Sequence, residues 1–288
     1  NFELMRKVTL DNAVGPALVF NPLPQGFYPS QEQNSFDWGL PTKVVLPTSD
    51  VDLAFMPVHQ LSVLIKSKQL SSERLTKIYL QRIKTHPDTL ACLVTLLEEQ
   101  ALNQARTLDQ ELAAGKYRGP LHGIPYGIKD LFAVPETRTT WGATPYKDQV
   151  IDETATIVTK LEQAGGVLVG KFTLGALAMG DVWFGGVTKN PWNLKQGSSG
   201  SSAGSASAVS AGLVPFAIGT ETLGSIVSPS TRNGVTGLRP TFGRVSRHGA
   251  MALSWSMDKV GPISRSTLDN AIVLAVLNGS DTKDPATI

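Results

Sequence analysis

Residues 196–240 read QGSSGSSAGSASAVSAGLVPFAIGTETLGSIVSPSTRNGVTGLRP, a Ser/Gly-rich loop, an apolar run and a second Gly/Ser loop in close succession. Glycine has no Cβ, so such a loop can carry hydroxyl groups and still let the backbone approach a substrate closely. A flexible linker has a similar composition, but this loop runs directly into AVSAGLVPFAIG, whose apolar side chains predict burial. We therefore interpret the stretch as an active site. The side chains expected to be buried are Ala208, Val209, Ala211, Leu213, Val214, Phe216, Ala217 and Ile218.

Length, composition and charge exclude several function classes. The chain has 288 residues, 41% of them apolar and 17% charged, which suits one large α/β domain or two smaller ones. Its formal charge of +2 comes without basic clusters, so nothing indicates a nucleic-acid partner. No apolar run approaches the roughly 18 residues of a membrane span. A leader could have been removed before Asn1. The sequence therefore does not distinguish a cytoplasmic protein from a periplasmic or secreted one.

The sequence offers no pattern for a metal or another cofactor. Its single cysteine, Cys92, lies in the apolar run LACLVTLL and is expected in the core. The four histidines are far apart in sequence, without the i,i+4 pair of an HExxH motif. We therefore expect neither a metal nor a cofactor. The histidines are His59, His86, His122 and His248.

The remaining chain alternates helical and strand patterns. Residues 1–57 are predicted to form an irregular arm, docked by its aromatic residues. Amphipathic helices are predicted over 58–69, 71–86, 98–115, 153–166 and 265–279, and apolar strands over 90–96, 121–129 and 167–170. Short strands that alternate with helices predict an α/β fold. The aromatic residues of the arm are Phe27, Tyr28, Phe36 and Trp38.

A serine hydroxyl needs a base before it can act as a nucleophile. His122 and His248 lie outside the Ser/Gly loops but could fold into the site, so a Ser-His-Asp triad stays open. Lys129 ends an apolar strand and could instead be a solvated strand end. If it is buried against Ile124, Tyr126 and Ile128, its pKa falls and the neutral amine becomes a competent base.

The sequence resembles the amidase signature family over about residues 58–280. The matching stretches, in the family's order, are LHGIPYGIKD, QAGGVLVGK, NPWN, GSSGSSAGSASAVSAGLVPFAIGTETLGSI and GLRPTFGRVS. The resemblance implies a three-layer α/β/α fold with a mixed, mostly parallel central sheet. Because the family fold is longer than this chain, residues 58–280 are expected to be the N-terminal portion of a catalytic domain. Residues 281–288 are expected to be linker-like, with the rest of that domain outside the chain.

The resemblance also implies a Ser-Ser-Lys arrangement. Lys129 matches the family's general base, Ser201 the relay serine in a cis peptide, and Ser225 the nucleophile. The backbone N–H groups of 222–225 would form the oxyanion hole. In the segment 171–194, which suits a pocket wall, Ala178 and Met179 are expected to bind substrate. The oxyanion residues are Thr222, Leu223, Gly224 and Ser225.

Three positions near the nucleophile depart from the family pattern. Leu223 stands where the family has glycine, and it could narrow the acyl pocket or limit the loop geometry. Glu221 stands for the family's aspartate and Val227 for its arginine. If that aspartate and arginine normally support each other, the surroundings of the nucleophile are rebuilt here, and we expect Arg232 to take part.

These observations predict a hydrolase that cleaves carboxylic amides through an acyl-enzyme on Ser225. A small aryl or alkyl amide is the expected substrate, with esters and carbamates as side activities. Two alternatives remain. One is the amidase subunit of a glutamine-dependent amidotransferase, which would require a protein partner. The other is a non-catalytic binding protein on the same scaffold, suggested by the altered oxyanion segment.

Overall fold

A computed structural model describes residues 2–8, 26, 36–85 and 87–287. Phe27 and Tyr28, which were expected to dock the arm, lie outside the described residues, and so does His86. The helices are α1 Phe2–Met5, α2 Asp50–Phe55, α3 Val58–Lys66, α4 Ser72–Thr85, α5 Pro87–Leu90, α6 Glu98–Ala113, α7 Thr156–Gln163, α8 Ala203–Ser210, α9 Val227–Asn233 and α10 Thr267–Leu277. The strands are β1 Leu93–Leu96, β2 Pro125–Lys129, β3 Val167–Phe172, β4 Val182–Trp183, β5 Gly186–Val187, β6 Lys189–Asn190, β7 Asn193–Gly197, β8 Phe216–Glu221, β9 Thr236–Gly237 and β10 Lys259–Ser264.

The central sheet has six strands in the order β1-β3-β2-β8-β10-β9. β2 pairs in parallel with β3 and β8, and the other three pairings described within this sheet are antiparallel. Four strands, β2, β3, β8 and β9, therefore share one direction. The mixed α/β sheet is as predicted, with the parallel pairing confined to its centre, where β2 and β8 end beside each other.

Two apolar clusters cover the two faces of this sheet. Side chains alternate across a strand, so Leu168 and Ile218 join a cluster with α3, α7 and α10, whereas Val169 and Ala217 join one with α6 and α8. Helices thus lie on both faces. The small-residue helix α8, whose residues are all buried, lets its backbone pack closely on the sheet. The predicted three-layer α/β/α architecture is confirmed.

Most predicted elements form, with local differences. α4 covers most of the predicted helix over 71–86 and ends at Thr85, before Pro87, which has no N–H to donate. The next strand begins only at Leu93, later than predicted. Gly115 follows α6 at φ +88°, a conformation that glycine adopts at little cost. Asp269 lies in the first turn of α10 but caps a different helix. Its carboxylate accepts the N–H groups of Val58 at 2.9 Å and His59 at 3.0 Å, and so caps α3.

The described part of the expected arm is not wholly irregular, since it contains α1 and α2. Ser49 caps α2 by accepting N–H groups of its first turn. Trp38 packs against the core, whereas Phe36 is 70% exposed and lies on the Trp38 ring. At the other end, Asp284 is buried and accepts hydrogen bonds from the Arg247 side chain at 2.7 and 2.9 Å.

The described ranges contain neither a helix suited to a membrane span nor a side-chain cluster suited to a metal ion. None of the helices there is long and apolar enough to cross a membrane. Within the same residues, no group of three His, Cys, Asp or Glu side chains is arranged to hold a metal ion.

Candidate active site

Lys129 lies at the end of β2 with its whole side chain buried. Its Nζ is 2.7 Å from Ser201 Oγ and 2.9 Å from Thr220 Oγ1, so hydroxyl groups are its nearest partners. Burial lowers the pKa of Lys129 to about 7, while the charges of Asp258 and Glu221 oppose that shift. Lys129 is therefore buried and is not a solvated strand end, and its pKa is lowered as expected for a buried lysine.

Ser201 lies in the loop between β7 and α8. The Gly200–Ser201 peptide is cis, as the resemblance implied. Gly200 packs directly on the neighbouring segment, because a Cβ built there would lie 1.8 Å from the Gly180 carbonyl oxygen. Only glycine fits at that contact. This close packing places the loop where the Ser201 hydroxyl contacts Lys129.

Ser202 joins the two Ser/Gly loops to each other. Its N–H donates to the Ser225 carbonyl at 3.1 Å, and its hydroxyl donates to the Thr220 carbonyl at 3.0 Å. The same hydroxyl accepts the Thr220 N–H at 3.2 Å. These bonds hold the residue after Ser201 beside Ser225 and beside the end of β8. The structure thus brings the segments of Lys129, Ser201 and Ser225 together.

Ser225 lies in the turn between β8 and α9 and is half-buried. Among the described residues, its hydroxyl has no hydrogen-bonding partner, and it makes no hydrogen bond with the Ser201 hydroxyl. A side chain that is partly exposed and unpaired is accessible to a molecule in solution. The Ser225 carbonyl, in contrast, is fixed by Ser202.

The backbone of residues 222–225 leaves donors unpaired. Within the described part of the chain, the N–H groups of Thr222, Leu223 and Ser225 reach no protein acceptor. The N–H of Gly224, at φ +97°, faces the Glu221 carboxylate and helps to lower its pKa. The Leu223 side chain is 82% exposed. The expected oxyanion segment therefore has three free donors and one that is shared with Glu221.

Glu221 supports the turn that carries Ser225. Its buried carboxylate accepts the N–H groups of Ile226 at 2.8 Å and Val227 at 3.0 Å, and Arg239 Nη1 lies 3.3 Å away. Burial opposes ionisation, but these N–H groups and Arg239 outweigh it and hold the pKa of Glu221 below its usual value. The expected role of Arg232 is wrong: its side chain is exposed, and Arg239 is the cation that pairs with Glu221.

A cleft of about 810 Å³ reaches the site at Thr220 and Asp258. Its walls are mainly apolar and include Trp141, with charged side chains at the rim. Ala178 and Met179 are not among its lining residues in the described chain: Ala178 is buried, and Met179 is 68% exposed next to the Gly180 contact. Lining residues include Leu131, Trp141, Leu177, Met251, Leu253, Trp255 and Val260.

Neither histidine kept open for a triad contacts the serines. His122 is buried with its Nε2 3.0 Å from the Leu108 carbonyl, and burial lowers its pKa. His248 lines the cleft with its Nε2 3.2 Å from Glu153. The base that does contact a loop serine is Lys129, so the Ser-His-Asp alternative has no geometric support.

Four polar residues of the site were not predicted from the sequence. Thr220, Ser202 and Arg239 lie inside the quoted motifs. Their position as polar residues within a matching stretch could have indicated that they belong to the site. Asp258 gave no signal, because it joins the site only through contacts formed by folding. Its carboxylate accepts hydrogen bonds from the Thr222 hydroxyl and from the N–H groups of Leu253 and Ser254.

Comparisons with known proteins find relatives in both sequence and structure. The family model described as Amidase matches residues 74–287. A glutamyl-tRNA(Gln) amidotransferase subunit of Coxiella burnetii is 42% identical over 80% of this chain and 48% of its own. The structure of a peptide amidase from Stenotrophomonas maltophilia is 40% identical, with a TM-score of 0.76 over 81% of this chain and 50% of that chain.

An amidase family protein from Bacillus anthracis is 35% identical, with a TM-score of 0.78 over 83% of this chain and 49% of that one. The chain therefore spans about half the length of the relatives it matches.

Proposed function

The chain belongs to the amidase signature family, and on this premise we propose that it carries the catalytic groups of an amidase that cleaves carboxylic amides through an acyl-enzyme. Ser225 is the nucleophile, Ser201 relays its proton, and Lys129 is the general base. The observation that carries this proposal is the 2.7 Å contact between Lys129 Nζ and Ser201 Oγ, made by a lysine whose pKa is lowered to about 7.

The proton path runs through the two serines. Neutral Lys129 takes the proton of Ser201, and Ser201 takes that of Ser225 as Ser225 attacks the amide carbon. When the tetrahedral intermediate collapses, the same proton returns through Ser201 to the departing nitrogen. This return is needed because an amine anion is a very poor leaving group. Water then attacks the acyl-enzyme by the same path and releases the carboxylic acid.

The oxyanion of the intermediate is held by backbone N–H groups of Thr222, Leu223, Gly224 and Ser225. Aligned donors of this kind typically contribute ~3 to 4 kcal/mol each. Gly224 is the weakest donor of the four, because its N–H also faces Glu221. The Leu223 N–H has no acceptor among the described residues and is therefore free to donate.

Small aryl or alkyl amides are the proposed substrate class, and Ala178 and Met179 are proposed to contact them from the segment beside Gly200, outside the lining of the cleft. The apolar lining of the cleft beside Thr220 supports an uncharged acyl or amine group of this kind. Esters and carbamates pass through the same tetrahedral step and are proposed as side activities.

The decisive experiment is a hydrolysis screen over amides, esters and carbamates with the full-length protein, paired with fluorophosphonate labelling. Ser225→Ala should abolish both turnover and labelling, whereas Ser201→Ala should keep residual turnover through a substituting water. If Ser225→Ala stayed labelled while Ser201→Ala or Ser202→Ala lost all labelling, the nucleophile would lie in the first loop. A wild-type protein that neither labels nor hydrolyses any of these classes would favour the non-catalytic alternative.

A second candidate is the amidase component of a glutamine-dependent amidotransferase. It is supported by the 42% identity to proteins named as glutamyl-tRNA(Gln) amidotransferase subunits. That function predicts a stably associated protein partner during purification and a glutaminase activity. Hydrolysis of small amides by the isolated full-length protein, with no glutaminase activity, would favour the first candidate.

A further inference from the structure

Thr222 is held at two polar atoms by a neighbouring segment. Its hydroxyl donates to Asp258 Oδ1, and its carbonyl accepts a hydrogen bond from Lys259 Nζ at 3.0 Å. The peptide group is planar, so the Thr222 carbonyl shares a rigid plane with the N–H of Leu223. Binding this carbonyl therefore sets the direction of that N–H, and binding the hydroxyl restrains Thr222 itself.

Asp258 is anchored independently of Thr222. Its second oxygen accepts the N–H groups of Leu253 at 2.7 Å and Ser254 at 2.9 Å, and the residue is only 9% exposed. Leu253 and Trp255 of this loop line the cleft. The Asp258 carboxylate thus connects the loop that lines the cleft to Thr222, the first residue of the segment with the unpaired N–H groups.

We propose that Asp258 is a positioning residue that holds the Thr222 and Leu223 N–H groups in the direction needed to bind the oxyanion. The inference rests on the proposed function, since it concerns the same reaction. Asp258 acts through the Thr222 hydroxyl and does not touch the substrate oxygen. Removing the hydroxyl alone should therefore reproduce the loss caused by removing the carboxylate.

The charge of Asp258 provides a second, separable effect. Burial lowers the pKa of Lys129, and among the described residues the charged groups that oppose this shift are Asp258 and Glu221. Ser201 and Thr220 present hydroxyl groups to Lys129. Replacing Asp258 by a neutral residue should lower the pKa of Lys129. Removing the Thr222 hydroxyl leaves this charge in place, so the two substitutions should differ in their pH profiles.

The experiment measures kcat, KM and the rate of fluorophosphonate labelling in the full-length protein. Thr222→Val should lower kcat and the labelling rate on the order of tenfold, because a displaced oxyanion donor loses part of the 10²- to 10³-fold effect of a removed one. KM should change little, and Thr222→Ser, which keeps the hydroxyl, should restore the rate. Asp258→Asn should lower kcat similarly and also move the midpoint of the pH–rate profile to lower pH.

Thr156→Val is the matched control. Thr156 Oγ1 donates to Asp281 Oδ2 at 2.6 Å from helix α7, outside the cleft and the serine loops, so its loss should leave kcat unchanged. Wild-type rates in both Thr222→Val and Asp258→Asn, or a loss that Thr222→Ser does not restore, would overturn the inference while leaving Ser225 as nucleophile. If Asp258→Asn fails to fold, the rates of Thr222→Val and Thr222→Ser still test the inference. If Ser225→Ala keeps full activity, the proposed function fails and this inference fails with it.

Discussion

Two fully buried lysines lie on neighbouring central strands, and they differ in what surrounds them. Lys129 ends β2 and Lys171 lies one position before the end of β3, where Ile128 pairs with Lys171 and Lys129 with Phe172. Lys171 Nζ is 3.1 Å from Asp130 Oδ1 and 2.5 Å from both the Arg138 carbonyl and Thr139 Oγ1.

The two lysines are equally buried and differ in their contacts: Lys171 has a carboxylate partner and Lys129 has hydroxyl partners. Burial lowers the pKa of both lysines, but at Lys171 the adjacent Asp130 carboxylate opposes the shift and favours the charged form. Among the described residues, the polar groups in contact with Lys129 Nζ are hydroxyl and carbonyl groups. We therefore expect Lys171 to stabilise the fold as one half of an ion pair and Lys129 to supply chemistry as a neutral amine.

The largest expected effect is the loss of turnover in Lys129→Met. This change removes the base for deprotonation and the acid for leaving-group protonation, and acid–base groups typically contribute 10²- to 10⁴-fold. We expect amide kcat to fall on the order of 10³-fold or more. Ester kcat should fall less, because an alkoxide leaves without full protonation. The check is kcat on an amide and an ester with the same acyl group.

The double variant Lys129→Met with Ser201→Ala serves as the control for this prediction. Both residues act in one proton path, so it should be scarcely slower than Lys129→Met alone. An equal loss of turnover in Lys129→Met and Lys171→Met would remove the distinction between the two lysines.

The next effect is on stability, in Lys171→Met. This variant leaves the Asp130 carboxylate buried without its cation, which typically costs about 3 to 5 kcal/mol. The free energy of unfolding should fall by that order, measured by urea denaturation with an unchanged m-value. Turnover of the folded fraction should stay within about tenfold, since Lys171 contacts neither serine.

Adding Asp130→Asn to Lys171→Met should recover part of the lost stability, because the unpaired charge is removed. If Lys171→Met unfolded at the wild-type urea concentration, the ion pair would contribute nothing and Lys171 would not be structural.

The contrast between the lysines was only partly predictable from the sequence. Lys129 follows the apolar residues Ile124, Tyr126 and Ile128, and this pattern left its burial open but gave the direction of its pKa shift if it was buried. Lys171 ends a similar apolar run, VLVGK, so the local pattern does not distinguish the two. The difference arises from Asp130, which β2 brings beside Lys171 through strand pairing.

The same limit applies to the rest of the site. Alternating strands and amphipathic helices predicted the three layers, because these patterns are local. Thr222 and Asp258 are 36 residues apart, and their contact depends on the pairing of β8 with β10. Arg239 was missed in favour of Arg232 for a similar reason: both are near Ser225 in sequence, but only Arg239 lies where its side chain reaches Glu221.

A smaller effect is the pH dependence of the wild-type rate. The pKa of Lys129 is lowered to about 7, and the base must be neutral, so the active fraction rises as the pH rises through that value. kcat/KM for an amide should increase about tenfold per pH unit below the midpoint and level off above it, instead of rising up to the ~10.4 of an ordinary lysine. A profile that is flat from pH 5 to 10, with chemistry rate-limiting, would contradict the role of Lys129.

The smallest effect compares the hydroxyl beside each lysine. Thr220→Val removes the acceptor 2.9 Å from Lys129 Nζ, while Thr139→Val removes the one 2.5 Å from Lys171 Nζ. A neutral hydrogen bond contributes about 0.5 to 1.5 kcal/mol and one to a charged group about 1.5 to 3 kcal/mol. Thr220→Val should therefore lower amide kcat by less than about tenfold with a small stability change. Thr139→Val should leave kcat unchanged and lower the free energy of unfolding by more. Both variants are to be measured in the full-length protein. A larger loss of stability in Thr220→Val than in Thr139→Val would indicate that Lys129 is the charged lysine of the pair.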